Sequence, residues 1–489
     1  MSKLQGGKEQ LARMNEDHVV VKTGGKVRIA GWETQDVGSG RKVRAITFSS
    51  PAEMKTLYAN RFVLVKGKDA NGETVNKRRP LLDYWLQHAD RPTAIGFTID
   101  PAGGLFVEGR LNLWQDFSVK PKEGDWSLLR KHILDVICGG NKDHASYLLR
   151  YLAYKFQNPT TQSEVIIVLR GKQGTGKGRL ATLLCELFGA HGLQISDRRH
   201  LVGNFNAHLL QTCFLFADEA FWAGDKQAEG TLKRMATEPT LMYEPKGLDA
   251  FSGPNRLTVM MASNEKWVVP AAEDDRRFVV FDVSDVHQRD SAYFGALGKE
   301  LDSGGREAFL YAMLNKDLQD WHPREDMPVT QALYEQKAES ADPLVHWLGN
   351  ILEEGMLPVR IRDAAGGYLD VVHNTNPALA RAARLRLHAE AHAKHLKSMA
   401  FWKFLDEHGI EKAEDQRQAA GRFRRFPPLA EARALFRKKH PWWSEFDSQR
   451  QDWQFAPEHD GLGRNIGIAD REEEPLKGGL SGHKGYQFG

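Results

Sequence analysis

The chain has 489 residues, of which 41% are hydrophobic and 27% charged, and its formal net charge is +3. These values predict a folded protein of several domains and exclude a chain too polar to bury a core. A net charge of +3 is too small to indicate, by itself, that the protein binds nucleic acid. No apolar run approaches the ~20 residues of a membrane-spanning helix, and the scattered Cys138, Cys185 and Cys213 argue against a zinc finger and suit a reducing cytoplasm.

The first predicted domain is a small α+β unit at residues 1–110. Residues 19–29 have the pattern of a β-hairpin, in which Gly24 and Gly25 supply the two-residue turn. The carboxylates of this region form no arrangement that indicates a catalytic centre, so we interpret them as surface groups. Further strands are predicted at residues 62–65 and 93–97.

Residues 111–160 are predicted to be mainly helical. A first helix at residues 126–138 ends at Gly139-Gly140, a common signal for a helix C-terminus. A second helix at residues 143–156 is amphipathic. The two helices either form a collar that mediates assembly or simply pack under the next domain, and the sequence leaves both readings open.

Residues 165–184 have the pattern of a strand, a glycine-rich loop and a helix. The loop, residues 171–178, matches the phosphate-binding pattern G-x-x-x-x-G-K-[ST] at all but its last position. Glycines let backbone N–H groups surround phosphate oxygens, and the helix N-terminus adds partial positive charge. We expect Lys177 to reach the β- and γ-phosphates of ATP. The residues predicted to bind the nucleotide are Gly171, Gln173, Gly174, Thr175, Gly176, Lys177, Gly178 and Arg179.

Gly178 stands where this pattern has a Ser or Thr whose hydroxyl binds Mg²⁺. Either other oxygens and water hold the metal, or nucleotide binding is altered. A glycine-rich turn without a ligand is the simplest alternative, and the flanking strand and helix disfavour it.

Two further predicted strands end in polar residues. Residues 214–217 lead into Asp218 and Glu219, the Walker B pattern. Asp218 would bind Mg²⁺, directly or through water, and Glu219 would polarise the attacking water. Residues 257–262 lead to Asn264, whose amide is suited to hold that water. Because polar residues end many strands at turns, these signals gain weight from their order after the phosphate-binding loop.

Arg276 and Arg277 precede another predicted strand, residues 278–281. An arginine stabilises the charge that spreads during phosphoryl transfer, and a neighbouring subunit can supply it. A solvated basic pair at the start of a strand is the alternative. The sequence does not decide which of the two would act.

In this order and spacing, the four elements resemble those of superfamily 3 helicases, a branch of the AAA+ ATPases. The phage and plasmid primase-helicases related to the poxvirus primase-helicase are the most similar in pattern, and residues 203–209, 219–225 and 262–265 also look like that family. The alternation of strands and helices predicts an α/β fold with a mostly parallel sheet, here an AAA+-like P-loop core. The resemblance implies ATP and Mg²⁺ as cofactors and a hexameric ring with ATP between subunits. We expect no counterpart of the primase half within residues 1–110.

The resemblance also implies a β-hairpin whose tip touches DNA in a central channel. Residues 240–251 fit, because two β-prone runs flank Pro-Lys-Gly, a turn sequence. Lys246 would pair with a DNA phosphate at the tip. Tyr243 either stacks on a base or packs within the hairpin. Lys233, on a predicted helix before the hairpin, either contacts DNA or nucleotide or is a solvated side chain.

The predicted C-terminal domain, residues 341–463, is helix-rich and basic, with a winged-helix character. Between residues 381 and 450 there are 16 Lys and Arg against 9 Asp and Glu, and a basic helix is expected over 381–397. Basic and aromatic residues alternate at 422–426, a pattern suited to following a phosphate backbone while rings stack on bases. A packed core with a solvated basic surface is the alternative. Residues 464–489 are predicted to be a flexible tail.

We therefore predict an ATP-dependent DNA helicase or translocase that acts in the replication of a phage, plasmid or integrated mobile element, in the cytoplasm of a bacterial host. The expected partners are single-stranded or forked DNA, further copies of the chain in a homo-hexamer, and a separate primase or polymerase, with no membrane. One alternative is a AAA+ replication initiator or loader that does not unwind DNA. Another, favoured by Gly178, is a nucleotide-binding module with weak hydrolysis or a small-molecule kinase. The predicted domains are residues 1–110, 111–160, 161–340, 341–463 and 464–489.

Overall fold

The computed structural model contains two compact units, residues 1–336 and 337–489, each of which mixes helices and strands. The finer division into five domains stays a prediction. Within the described part of the chain, no helix combines the length and the apolar composition needed to cross a bilayer. The described residues are 7–36, 42–68, 70, 72–197, 199–202, 206–219, 226–244, 249–272, 275–358, 360–362, 365, 368–373, 376–393, 396–414, 422–443, 446 and 449–455.

The first unit begins with a region of short strands and helices. Its elements are α1 (Gly7–Asp17), β1 (His18–Thr23), β2 (Lys26–Asp36), β3 (Lys42–Ser49), α2 (Pro51–Leu57), β4 (Phe62–Lys68), β5 (Thr74–Pro80), α3 (Leu81–Gln87), β6 (Thr93–Ala94), β7 (Phe97–Thr98), β8 (Phe106–Val107) and β9 (Arg110–Asn112). Among the described residues they form sheets with the strand orders β3-β2-β1-β6, β4-β5 and β7-β9-β8. Gly24 and Gly25 connect β1 to β2 at φ of 54° and 73°. The predicted hairpin is confirmed, since this two-residue turn needs left-handed backbone at both positions.

A pair of helices follows. Helix α4 (Ser127–Lys131) continues into a π-helical turn (His132–Ile137), and Asn141 caps α5 (Lys142–Gln157) by accepting from two backbone N–H groups. The predicted first helix therefore begins as an α-helix and ends as a π turn, a geometry that recurs at functional sites. The apolar face predicted for the second helix is buried, as seen at Tyr147, Leu148, Tyr151, Leu152 and Phe156.

The centre of the first unit is a parallel sheet. Its elements are β10 (Ile166–Arg170), α6 (Lys177–Leu187), a 3-10 turn (Gly189–His191), β11 (Gly192–Ile195), α7 (Arg199–Val202), a 3-10 turn (Ala207–Leu209), β12 (Phe214–Asp218), α8 (Lys226–Thr237), β13 (Thr240–Tyr243), β14 (Phe251–Pro254), β15 (Thr258–Ser263) and β16 (Phe278–Asp282). Within the described residues, five parallel strands lie in the order β11-β12-β15-β10-β16. The strands β10, β12, β15 and β16 are buried almost throughout, as expected for a parallel sheet covered on both faces. The prediction of a parallel sheet is confirmed. Because the strands share one direction, the loops after β10, β12 and β15 meet at one edge.

Strands β13 and β14 form the predicted antiparallel hairpin, with Tyr243 opposite Phe251. Residue Lys246, predicted at the tip, lies outside the described residues. Just before β14, Asp249 Oδ1 accepts a hydrogen bond from Lys26 Nζ at 2.8 Å. The loop end of this hairpin, where β13 is joined to β14, thus contacts the turn region between β1 and β2.

The first unit closes with helices that follow the sheet. They are α9 (Ser291–Glu300), a kinked turn (Leu301–Gly305), α10 (Arg306–Leu314) and α11 (Gln331–Ser340). Asp290 caps α9 by accepting from the Tyr293 N–H, which fixes where the chain turns after β16.

The second unit is mainly short strands and helices. Its elements are α12 (Pro343–Glu354), β17 (Met356–Leu357), β18 (Arg360–Arg362), β19 (Tyr368–Asp370), β20 (Val372–His373), β21 (Asn376–Arg381), α13 (Ala382–His392), α14 (Ser398–Glu407), β22 (Glu411–Lys412), β23 (Phe423–Arg425), α15 (Leu429–Lys439) and β24 (Gln454–Phe455). The largest of its described sheets has the order β20-β21-β23-β22. Trp347 on α12 is buried and donates from Nε1 to His388 Nδ1 at 2.9 Å, so two helices of this unit are joined inside its core.

Two expectations for this unit are corrected. The helix predicted over residues 381–397 ends at His392, because Ala393 has extended backbone geometry. Arg424, part of the basic and aromatic run expected to face DNA, is 3% exposed and ion-paired with Asp406. Arg424 therefore belongs to the packed core, which is the alternative given above, and not to a surface open to DNA.

Candidate functional site

A cavity of about 430 Å³ opens at the carboxyl edge of the parallel sheet. Strands β10, β12 and β15 deliver their following loops to this edge, and the first of these loops leads into α6. The side chains predicted for nucleotide chemistry, Lys177, Asp218, Glu219 and Asn264, meet there. The cavity is lined by Gln173, Gly174, Gly176, Lys177, Gly178, Ser196, Asp218 and Glu219.

Glycine is required at Gly176, the residue that begins α6. Its φ is 91°, and a Cβ atom added there would lie 2.6 Å from Phe294 and 2.8 Å from His132. Gly174 also has left-handed backbone, at φ 78°. These conformations curl the loop around the cavity and aim the first N–H groups of the helix into it, the arrangement that binds anions.

The ammonium group of Lys177 lies on the inner side of the loop. Lys177 is only 7% exposed, and its Nζ donates to Gly171 O at 3.2 Å and to Lys172 O at 3.3 Å. Burial lowers the pKa of Lys177, while the carboxylates of Glu219 and Asp218 act to raise it. The loop thus holds one cation against the floor of the cavity.

Asn264 joins Lys177 to Glu219. Its Oδ1 accepts from Lys177 Nζ and its Nδ2 donates to Glu219 Oε1. This contact follows from the strand order, because β15 lies between β10 and β12. Glu219 has a φ of 54°, uncommon for a residue with a side chain, and its N–H donates to Ala262 O at 3.0 Å. Such backbone strain is concentrated at functional sites.

Asp218 is positioned by a short relay of hydrogen bonds. Gln194 Nε2 donates to Asp218 Oδ2 at 3.3 Å, and Thr182 Oγ1 donates to Gln194 Oε1 at 3.3 Å. Burial and the neighbouring Glu219 raise the pKa of Asp218, whereas Lys177 and the Gln194 hydrogen bond lower it. Strand β11 therefore orients the carboxylate of Asp218 from the neighbouring position in the sheet.

Sequence reasoning missed Gln194 and Ser196 because it did not identify β11. This strand has four residues at the edge of the sheet, and only Ile195 is buried. The available signal was a short run, residues 192–195, that ends in Ser-Asp after a predicted helix.

The segment after β16 packs on the outside of the loop. Arg289 N donates to Gly174 O at 3.0 Å, and Gln288 Nε2 donates to Gln173 O at 2.8 Å. Arg289 has a φ of 60°. The loop is thus held from outside by backbone and side-chain groups that carried no sequence signal.

His132 lies behind the loop as an uncharged ring. It is fully buried on the π turn, and its Nδ1 lies 3.1 Å from the Tyr293 hydroxyl. Burial lowers the pKa of His132 to about 4, so the ring is neutral at pH 7. The ring of His132 therefore adds no positive charge behind the loop at pH 7.

The remaining predicted nucleotide contacts differ in placement. Thr175 is fully buried and donates from Oγ1 to Lys172 O at 2.9 Å, so its hydroxyl supports the loop from inside. Arg179 does not line the cavity; its Nη2 lies 3.1 Å from the position that a Cβ of Gly298 would take. The side chain points toward α9, and the predicted contact of Arg179 with the nucleotide stays a prediction.

Arg276 and Arg277 lie at the opposite edge of the sheet. Ile166 N, at the start of β10, donates to Arg277 O at 2.7 Å. Both arginines therefore lie beside the start of β10, whereas the glycine-rich loop follows the end of β10. The two edges are separated by the length of β10, roughly 13 Å. Arg277 pairs with Asp275 at 3.1 Å, and Arg276 is exposed. Neither arginine reaches the cavity of its own chain.

The predicted DNA contacts are only partly described. Tyr243 is 1% exposed, its hydroxyl donates to Pro254 O at 2.9 Å, and burial raises its pKa to about 12. Base stacking by Tyr243 is thus corrected to packing within the hairpin, because no face of the ring is open. Lys233 pairs with Glu229 on its own helix at 2.6 Å. A role for Lys233 and for Lys246 stays a prediction.

Comparisons with known proteins give a consistent picture. A family of unknown function, DUF5906, matches residues 169–277. The DNA primase-polymerase of Nitratiruptor phage NrS-1 is 28% identical over 141 residues, which are 28% of this chain and 20% of that protein. The chain thus matches about a fifth of the length of that relative.

Two apo structures of the NrS-1 C-terminal region are also similar to the chain. One has a TM-score of 0.54 at 16% identity and covers 81% of this chain and 95% of that one. The other has a TM-score of 0.52 at 17% identity and covers 72% of this chain and 78% of that one. The chain therefore has the fold of the C-terminal region of this phage protein and sequence similarity to the phage protein itself.

Proposed function

We propose that this chain is a ring-forming ATPase of the superfamily 3 type within the AAA+ class, and that it drives a DNA helicase or translocase in replication. The observation that carries the proposal is the meeting of Lys177, Asp218, Glu219 and Asn264 at one cavity beside a glycine-rich helix start. A buried cation, two carboxylates and an amide at the carboxyl edge of a parallel sheet suit the binding and hydrolysis of a nucleoside triphosphate.

Each side chain has a distinct proposed role. Lys177 exchanges its carbonyl partners for the β- and γ-phosphates of ATP. Glu219 accepts a hydrogen bond from the attacking water and orients it, and the amide of Asn264 holds the same water from the other side. Gln194 keeps Asp218 turned toward the cavity through the 3.3 Å hydrogen bond.

The donor set of the cavity suits Mg²⁺. Mg²⁺ prefers oxygen ligands and is commonly held by one or two carboxylates together with phosphate oxygens and water. Asp218 supplies such a carboxylate beside the loop. When bound, Mg²⁺ would neutralise charge on the phosphates, and the chain's contribution is to hold Asp218 and to keep Lys177 buried close by.

The arginines support a ring. Arg276 and Arg277 lie too far from the cavity of their own chain to touch its phosphates, yet Arg276 is exposed. In a homo-hexamer with ATP between subunits, one of them would enter the cavity of the neighbouring subunit and stabilise the charge of the transition state.

The replication context is supported by the similarity to the NrS-1 DNA primase-polymerase and to the fold of its C-terminal region. A separate primase or polymerase is a proposed partner, and the proposed substrate is single-stranded or forked DNA. Movement on DNA would come from the hairpin of β13 and β14, through Lys246 at its tip.

The test is ATP turnover with and without single-stranded DNA, for the wild type and for Lys246→Ala. We expect DNA to stimulate turnover of the wild type, and Lys246→Ala to lose the stimulation while basal turnover survives. Lys66→Ala, an exposed lysine on β4, is the matched control. Absence of stimulation in the wild type would contradict the translocase, and loss of basal turnover in Lys246→Ala would assign Lys246 a structural role.

A second candidate, a nucleotide-binding switch with weak or no hydrolysis, is favoured by Gly178, which offers no hydroxyl to Mg²⁺. Displacement of one strand from a forked duplex with ATP separates the two. The helicase unwinds the fork, whereas a switch binds ATP and DNA and leaves the duplex intact.

A further inference from the structure

Ser196 lines the same cavity as Asp218 and has a side-chain oxygen of its own. In the parallel pair of β11 and β12, Ile195 is level with Ala217, so the next residues, Ser196 and Asp218, come level at the carboxyl edge. Neighbouring strands are about 4.8 Å apart. Both residues line the cavity together with Gly178.

The hydroxyl of Ser196 is available. Ser196 is exposed, and within the described residues its Oγ makes no hydrogen bond. Two other hydroxyls near the loop are used: Thr175 Oγ1 donates to Lys172 O at 2.9 Å, and Thr182 Oγ1 donates to Gln194 Oε1 at 3.3 Å. Ser196 is therefore the one of these three hydroxyl groups that is free to bind something in the cavity.

The missing hydroxyl at Gly178 has no steric cause. A Cβ atom added to Gly178 would meet nothing within 4 Å, so a serine side chain fits that position. The chain nevertheless has glycine at the point where the phosphate-binding pattern offers a hydroxyl to Mg²⁺. An oxygen from elsewhere must take that place if the metal is held in the usual way.

We propose that Ser196 supplies the protein hydroxyl that Gly178 lacks and binds Mg²⁺ beside Asp218. This inference rests on the proposed function. Mg²⁺ needs six oxygens in near-octahedral geometry, and it takes only one or two of them from protein, with phosphates and water completing the set. A neutral hydroxyl and a carboxylate on adjacent strands, at one level of the sheet, meet that need.

The experiment measures binding rather than turnover. A fluorescent, non-hydrolysable ATP analogue is bound at fixed concentration while MgCl₂ is titrated, and the same binding is measured in EDTA. For Ser196→Ala we expect the Mg²⁺ concentration at half-saturation to rise about 10-fold, the size of effect seen when groups around a metal are removed, with binding in EDTA unchanged. Ser252→Ala, at an exposed serine on β14, should match the wild type.

Gly178→Ser provides the rescue. Introduced into Ser196→Ala, it should bring the Mg²⁺ requirement back to within about 3-fold of the wild type, because it restores a hydroxyl to the cavity from the other side. A Mg²⁺ titration of Ser196→Ala that coincides with the wild type overturns the inference and leaves the proposed function standing. A wild type that binds no ATP analogue with or without Mg²⁺ contradicts the proposed function itself.

Discussion

The two edges of the parallel sheet carry different parts of the proposed chemistry. At the carboxyl edge, Lys177 is 7% exposed and hydrogen-bonded, beside a cluster of carboxylate and amide groups. At the amino edge, Arg276 is exposed and Arg277 pairs with Asp275. Asn264 and Arg276, which are only twelve residues apart in the chain, thus lie at opposite edges of the sheet. One chain thus gathers a buried lysine with carboxylate and amide groups at one edge and leaves an arginine exposed at the other, as expected if the proposed site is completed by a second copy.

The largest expected effect is that of Lys177→Ala, which removes the buried cation at the carboxyl edge. Removal of the buried ammonium leaves the phosphates without their cation, so we expect both binding of the ATP analogue and turnover to fall to background. Lys172→Ala, in the same loop but exposed and paired with Asp285, is the control and should keep most activity. If Lys177→Ala binds nucleotide as the wild type does, the cavity is not the nucleotide site.

The amino edge is tested with Arg276→Ala and Arg277→Ala. We expect one of them to lower turnover about 1000-fold, the effect of removing an arginine that stabilises the transition state, with nucleotide binding nearly unchanged. Mixing that inactive variant with Lys177→Ala should restore part of the turnover, because an intact cavity then meets an intact arginine from the neighbour. Failure of every mixture, in rings that assemble, would contradict action between subunits.

The loop geometry is probed by Gly176→Ala against Gly178→Ala. Gly176 has left-handed backbone, and its added Cβ would lie 2.6 Å from Phe294, whereas a Cβ on Gly178 meets nothing within 4 Å. Gly176→Ala should weaken binding of the ATP analogue strongly, because relief of the clash displaces the backbone N–H groups that are proposed to hold the phosphates. Gly178→Ala should bind as the wild type does. Equal affinities for the two variants would show that the loop tolerates the shift.

The smallest expected effect is on stability at low pH. Each edge holds a buried neutral histidine, His132 behind the loop and His191 before β11, and burial lowers the pKa of each to about 4. Since these pKa values lie below the value of about 6.5 in the unfolded chain, the stabilisation is present above pH 6.5 and is lost as pH falls toward 4. Each histidine should remove roughly 2 kcal/mol of unfolding free energy between pH 7 and pH 5.

Burial is the main cause of the lowered pKa at His191, and its hydrogen bonds show how the neutral ring is held. Its Nε2 accepts from Gln115 N at 3.0 Å and its Nδ1 lies 2.7 Å from Gln211 O. A second proton would face the Gln115 N–H, so the charged ring has no place for it. Urea unfolding at pH 7 and pH 5, compared between the wild type and His191→Gln, measures the effect. If the unfolding free energy of His191→Gln depends on pH as that of the wild type does, His191 does not contribute to the loss of stability at low pH.

Sequence reasoning predicted much of the central sheet because its information is local. The apolar runs of β10, β12 and β15 are continuous, as expected for strands buried on both faces, and the phosphate-binding loop is a contiguous pattern. The turn at Gly24 and Gly25 is equally local. These elements needed no knowledge of how distant segments pair.

The missed features depend on pairing or on subtle geometry. Strand β11 is short and mostly exposed, and its residues Gln194 and Ser196 gain meaning only from lying beside Asp218 in the sheet. The burial of Tyr243 depends on the register of its hairpin and on the hydrogen bond to Pro254. A π turn of six residues, His132–Ile137, differs too little from an α-helix in its apolar spacing to be seen in the sequence.

The ion pair between Lys26 and Asp249 has a consequence for experiments on DNA. Its side chains are 42% and 64% exposed, so added salt weakens it, as it weakens any contact between protein and a phosphate backbone. Ionic strength therefore acts on the loop end of the hairpin through this ion pair and, if the proposed function holds, also through the DNA contact of the same segment. A salt series on DNA-stimulated turnover, compared between the wild type and Lys26→Ala, measures the share that comes from this ion pair, because the variant lacks it.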